Sequence, residues 1–199
     1  MMLVHIHGNQ FNGHQLGLSL GVSGHTIRSY LDILEGTFMI RVLHPWFQNI
    51  GKRQVKTPKI YFRDTGILLA LLKISSEEQV LRHPLLGSMW EGFALEQIVQ
   101  ALEIRSEETF YWRTSHGAEL DLLVHYQGKR LGFEFKYTDA PKRTRSMITT
   151  IDDLNLDHLY VVYPGTRTYS IDDKLSVMSI EDIKRDLGLD PGSQNTRDN

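Results

Sequence analysis

Asp121, Glu134 and Lys136, with Glu119 close by, are the residues whose types and spacing point most directly to chemistry. Glu119 to Tyr126 and Arg130 to Tyr137 read as consecutive strands joined by a tight turn at Gln127 and Gly128. Alternate side chains of a strand share a face. Glu119 and Asp121 are therefore expected on one side, with Leu120, Leu122 and Val124 on the other. In the next strand Glu134 and Lys136 share a face opposite Phe133 and Phe135. Paired through the turn, the strands gather two or three carboxylates and one ammonium group on a single patch of sheet. Neighbouring carboxylates raise one another's pKa, and burying them is costly unless a proton, a metal or a lysine compensates.

A divalent cation is one solution. Mg2+ takes oxygen ligands in an octahedron at roughly 2.0–2.1 Å and keeps several waters. That suits Asp121, Glu134 and the backbone carbonyl of Phe135, with Glu119 as an accessory ligand and substrate phosphate completing the shell. A water activated by Mg2+ or Mn2+ could then attack a phosphodiester, while Lys136 orients it or neutralises charge developing on phosphorus. A satisfied salt-bridge cluster at a sheet edge is the alternative for the same residues.

These residues need elements to position them. Pro84 sits at the first turn of a helix expected to run to about Leu102, and Thr109 to Arg113 reads as the strand before Glu119. After Pro141 a helix to about Leu154 leads into His158 to Tyr163, an apolar run of buried-strand type, then a short hairpin and a helix from Ile180. The order helix, three strands, helix, strand is an α/β core.

Upstream, residues 14 to 36 read as a helix-turn-helix, with Gly21 ending the first helix and Ser23 capping the second. Ile27, Leu31 and Leu34 recur at helical spacing on its core face. Strands over Thr37 to Leu43 and Lys59 to Phe62 complete a winged helix, and Gly66 to Leu72 reads as a short buried helix. The expected domains are a winged helix-turn-helix over 1–72, a nuclease-like domain over 73–188 and a disordered tail over 189–199, with the junction between about 64 and 83.

A formal charge of -2 and a pI near 6.5 exclude a protein that coats nucleic acid indiscriminately, because that needs a basic surface. Charge is nonetheless clustered. Arg41, Lys52, Arg53, Lys56, Lys59 and Arg63 occur without an intervening acid, and Lys52, Arg53 and Lys56, with Arg28 of the second helix, are the candidate nucleic-acid contacts. Asp32 and Glu35 on that helix would repel phosphates. No run is long enough to span a bilayer, no export signal is visible and cysteine is absent, which predicts a cytoplasmic protein without disulfides. His5 and His7 would share a face if extended, a hint of surface metal binding. Trp46, Trp90 and Trp112 read as packing residues.

Glu91 on a helix, Asp121 on one strand and Glu134, Phe135 and Lys136 on the next resemble the PD-(D/E)xK nuclease superfamily, whose core order matches the one above. Trp90 to Phe93, Arg113 and Thr114 before Gly117 to Asp121, Tyr61 to Gly66, and Tyr30 to Glu35 resemble a domain of unknown function that follows AAA-type ATPase modules in bacteria and archaea. That resemblance covers nearly the whole chain. It implies a restriction-endonuclease-like core, a mixed central sheet flanked by helices, appended to the ATPase's own winged helix. It also implies partnership with an AAA-type ATPase module in cis or in trans. No Gly-x-x-x-x-Gly-Lys-Ser/Thr loop occurs, so these residues alone are not expected to hydrolyse ATP.

Glu91 and Glu96 are five residues apart and point about 140° apart on a helix, so only one can face the site. Gly87 and Ala94 thin the face that Glu91 shares, and Gly-x-x-x-Glu resembles the helix of archaeal junction resolvases, which selects Glu91. The expected function is a Mg2+- or Mn2+-dependent DNA endonuclease with Glu91 as auxiliary ligand. The competing readings are a non-catalytic DNA- or protein-binding coupling module for the ATPase and, from the first half, a winged-helix regulator.

Overall fold

The computed structural model describes residues 2–189. Of the expected tail over 189–199, all but Leu189 lies outside the described residues. The described residues divide into two compact units, one built from residues 2–45 and 56–93 and the other from 46–55 and 94–189. The division differs from the expected boundary after residue 72 in two ways. The loop over 46–55 belongs to the second unit, and the change of unit falls inside one helix.

In the first unit a short 3-10 turn over Met2–Ile6 precedes β1 (Asn9–Gln10), α1 (Gly13–Leu20) and α2 (Gly24–Gly36). Helix α1 stops at Gly21, whose φ of 67° is the left-handed conformation that glycine tolerates. Ser23 then caps α2, its side chain accepting the N–H of Thr26 at 3.1 Å. The two helices and their turn are as the sequence reading expects.

The following strand starts later than expected. Thr37 still donates its N–H to Ile33 of the helix, and Phe38 turns the chain at a φ of 60°, so β2 covers Ile40–Pro45. Strand β3 (Lys59–Phe62) pairs antiparallel with both β2 and β1. Helix α3 (Thr65–Leu71) is capped by Asp64 and is not wholly buried: Leu68 is inside, while Ile67 and Leu71 are exposed. Next come α4 (Glu77–Leu81) and the first half of α5 (Leu86–Ala101). Val4, Leu31, Ile40, Ile60, Phe62, Leu68 and Met89 form the core of this unit.

His5 and His7 do not share an extended face, because the backbone there is a 3-10 turn. The His7 ring is buried. Its Nδ1 accepts the N–H of Phe62 at 3.0 Å, which leaves Nε2 protonated to donate to the carbonyl of Ser88 at 3.0 Å. Both nitrogens are used by the neutral ring, and burial lowers its pKa to about 4. The expected surface metal site is therefore absent from this pair.

The basic run from Arg41 to Arg63 is not one exposed strip either. Arg41 and Lys59 are buried because they sit on β2 and β3, whereas Lys52, Arg53 and Lys56 are exposed in the loop between. Arg28 is exposed on α2.

The second unit contains the other half of α5, then β4 (Thr109–Arg113), β5 (Glu119–Tyr126), β6 (Lys129–Phe135), α6 (Arg145–Leu154), β7 (His158–Tyr163), β8 (Tyr169–Asp172), β9 (Leu175–Ser179) and α7 (Ile183–Asp186). Its strands run in the order β4-β5-β6-β7-β9-β8. The pairs β4/β5, β5/β6 and β8/β9 are antiparallel, while β6/β7 and β7/β9 are parallel. The chain is thus a mixed α/β protein. Gln127 and Gly128, both at positive φ, make the tight turn between β5 and β6.

Helix α6 is the crossover that parallel pairing of β6 and β7 requires. It is capped by Thr144, and Met147 and Leu154 pack with Trp112, Leu120, Leu123, Leu159 and Val161. The 46–55 loop joins this unit through bonds from the N–H of Trp46 to Tyr111, of Val55 to Arg113 and of Ser115 to Arg53. Trp112 is fully buried and donates its indole N–H to Gln54 at 3.0 Å, in keeping with a packing role. Among the described residues no helix is long and apolar enough to cross a membrane.

Candidate functional site

Strict alternation along β5 does not hold. Phe110 of β4 pairs with Leu123, but Trp112, two residues on, pairs with Leu120, three residues back. Asp121 and Leu122 therefore both lie opposite Tyr111, a β-bulge that changes which residues share a face. Leu120 and Leu123, which strict alternation assigns to opposite sides, pack into the same core cluster. The bulge places its extra residue at the acid expected to do chemistry.

The β5/β6 ladder ends at the pair of Leu122 with Phe133. One further step would put Asp121 across from Glu134. There the backbone pairing gives way to a side-chain bond, in which Asp121 Oδ2 accepts the N–H of Phe135 at 2.9 Å. On the other side of β6, Lys136 donates its N–H to the carbonyl of Val162 at 3.0 Å. The Glu134–Lys136 segment is thus held from both flanks, by a carboxylate and by the neighbouring parallel strand.

Asp121 and Glu134 are only 6% and 5% exposed. Burial pushes the Glu134 pKa up to about 7, Asp121 adds to the shift and Glu119 adds less. Lys136 opposes them, its Nζ lying 2.9 Å from Glu134 Oε2. The repulsion expected from the spacing is therefore present, and one ammonium does not cancel it. Glu119 is more open and lies 3.4 Å from an Arg113 guanidinium nitrogen, its partner across β4/β5.

Such a pair can share a proton or hold a cation. Asp121, Glu134 and the Phe135 carbonyl are chemically a hard-oxygen donor set suited to Mg2+ or Mn2+. Among the described residues no three of His, Asp and Glu are grouped as ligands for one metal ion.

Glu91 has partners within the first unit. It belongs to the half of α5 in the first unit and accepts from Lys59 Nζ at 3.0 Å and from the Tyr61 hydroxyl. Lys59 and Tyr61 are alternate residues of β3, so they share the face that meets the carboxylate. The sequence reading placed Lys59 in a basic run and Tyr61 in a family motif and joined neither to Glu91, although a lysine and a tyrosine two apart in an apolar strand are the signal. Glu96, set aside in favour of Glu91, is only 3% exposed and lies in the half of α5 that belongs to the second unit. Of the exposed cations, Lys52 is paired with Asp153 at 2.6 Å.

Comparison with known proteins adds the following. Residues 1–78 match the family described as Domain of unknown function (DUF8612), and residues 86–183 match Domain of unknown function (DUF4143). An uncharacterized protein of Mycobacterium tuberculosis and one of Mycobacterium bovis are each 45% identical to the chain over 182 residues. The match covers 92% of this chain and 41% of each relative, so the chain spans about two fifths of their length. No solved structure matches it.

Proposed function

We propose that the second unit is a PD-(D/E)xK-type nuclease module in which Asp121, Glu134 and Lys136 hydrolyse a phosphodiester of DNA with a divalent cation. The observation that carries this reading is the buried Asp121–Glu134 pair, in which burial first and the Asp121 charge second push the Glu134 pKa up to about 7 despite Lys136 Nζ at 2.9 Å. A structural cluster at this depth gains from neutrality, and a site that must accept a cation does not.

Asp121 and Glu134 would hold Mg2+ or Mn2+, assisted by the Phe135 carbonyl and by Glu119. The bound cation supplies charge neutralisation and a more acidic water. Asp121 is oriented by the Phe135 N–H, so its carboxylate is fixed before any ligand arrives. Lys136 is more exposed than Glu134 and can swing from it to stabilise negative charge developing on phosphorus. The first unit, read as a winged helix, would connect this module to an AAA-type ATPase module in cis or in trans.

The test is direct. Purified protein is incubated with supercoiled, linear and branched DNA in Mg2+ or Mn2+, beside Asp121→Ala and Lys136→Ala. Cleavage by the wild type that both substitutions abolish is expected. No cleavage, or equal cleavage by all three, overturns the reading.

One observation favours a second reading, a non-catalytic module that grips nucleic acid or protein for the ATPase. Lys136 already pairs with Glu134, and no third described carboxylate or histidine completes a metal-ligand group. Binding of DNA without cleavage in the same assay would select it.

A further inference from the structure

A cleft opens in the second unit where the β4–β5 turn, the 46–55 loop and the start of α6 converge. Its volume is about 580 Å3, and no carboxylate is among the residues that line it. Lys52, His116 and Arg145 bring nitrogen donors to its wall, and Ser146 and Thr149 bring hydroxyls. Three of these residues, Arg145, Ser146 and Thr149, have hydrogens to spare. Arg145 is exposed and, among the described residues, pairs with no acid. Ser146 Oγ accepts the N–H of Glu119 at 3.4 Å, which leaves its own O–H to donate. Thr149 is half-buried and, among the described residues, its side-chain hydroxyl has no hydrogen-bond partner. Lys52 is the one cation shared with an acid, Asp153.

Thr114 spends its hydroxyl on Ala118, but the unused donors of Arg145, Ser146 and Thr149 beside Lys52, in a cleft lined by no carboxylate, call for an acceptor-rich anion. An arginine fork beside hydroxyls matches phosphate geometry. We propose that this cleft is a phosphate subsite, holding a backbone phosphate of the nucleic acid strand presented to Asp121 and Glu134. The inference rests on the nuclease-like reading for the identity of that strand. Position supports it: Ala118 lines the cleft and Asp121 lies three residues further along the same chain, roughly 10 Å at the rise of a strand. A phosphate held here belongs to a neighbouring nucleotide, not to the one cleaved. Contacts to such flanking phosphates fix register on the strand without reading its sequence.

The test measures binding without cleavage. Fluorescence anisotropy of labelled single-stranded and duplex oligonucleotides is followed in EDTA over a range of salt, for the wild type, Arg145→Glu, the double variant Ser146→Ala with Thr149→Val, and Arg82→Glu. Arg82 is exposed in the first unit, so its variant controls for the change in net charge. Arg145→Glu is expected to weaken binding at least tenfold and to lower the salt slope by about one. The hydroxyl variant should weaken binding several-fold with the slope unchanged, and Arg82→Glu should stay within twofold of wild type. No binding by the wild type, or the same loss in Arg145→Glu and Arg82→Glu, overturns the proposal. Saturation by inorganic phosphate, seen as shifts of the Gly117, Ser146 and Thr149 amide resonances, with no oligonucleotide affinity, also overturns it and assigns the cleft to a free anion. Arg145-dependent binding by a protein that fails to cleave supports the subsite and overturns only the catalytic reading.

Discussion

The Asp121 carboxylate accepts the backbone N–H of Phe135 at 2.9 Å, at the point where the β5/β6 ladder stops. One acid thereby does two opposed things. It satisfies a buried amide on β6, and it places negative charge against Glu134 on the same strand.

These two effects separate by substitution. Asp121→Ala leaves the Phe135 amide without that acceptor, at a cost of about 1–3 kcal/mol. Asp121→Asn keeps a carbonyl oxygen and removes the charge that opposes Glu134. Urea denaturation at neutral pH in EDTA should therefore rank Asn above wild type and Ala below it. An Asn variant as unstable as Ala would mean that the negative charge itself stabilises the fold.

The pH dependence follows from Glu134. Its folded pKa of about 7 lies above the ordinary value of 4.5. Between those values the native state keeps a proton that the unfolded chain releases, so stability is highest below the lower value and falls as pH rises through the window. The loss is on the order of 3 kcal/mol at most. Melting scans from acid to neutral pH should show the decline in wild type and a flatter profile in Glu134→Gln. A wild-type profile that rises through the window would refute the shift.

Lys136 sets where that window ends. Its ammonium lowers the Glu134 pKa, so Lys136→Met should move the upper midpoint to higher pH. A divalent cation should act in the opposite direction. Mn2+ at 100 times its Kd should add about 2.7 kcal/mol to wild-type stability. The gain should vanish in Asp121→Ala, read by melting temperature in Mn2+ against EDTA. A gain of equal size in that variant would place cation binding elsewhere.

Glu91 makes a different prediction. Its contacts with Lys59 and Tyr61 make it a structural anchor of α5 on β3. Glu91→Ala should destabilise the protein by roughly 1–3 kcal/mol, since one partner of a buried ammonium and of a hydroxyl is lost. The double variant with Lys59→Met should recover part of it. If instead Glu91→Ala melts like wild type and alters only Mn2+ binding, Glu91 serves the metal.

Local pattern was enough for much of this. Thr109–Arg113, Glu119–Tyr126 and His158–Tyr163 are strands over the residues expected, because apolar runs bounded by turn residues have few other ways to bury themselves. Gly21 and Ser23 end one helix and start the next for reasons confined to a few neighbouring residues. The grouping of Asp121, Glu134 and Lys136 was also legible, since a two-residue turn leaves a hairpin little choice of register.

Tertiary packing decided the rest. The bulge at Asp121 and Leu122 arises from how β4 meets β5, and no residue of β5 announces it. Arg41, Lys59 and His7 are buried by partners distant in sequence, so their charge and spacing alone suggested an exposed role. The partners of Glu91 and the change of unit within α5 depend likewise on which surfaces touch. Periodicity records what a residue prefers to hide from water; which neighbour hides it is settled only when the chain closes on itself.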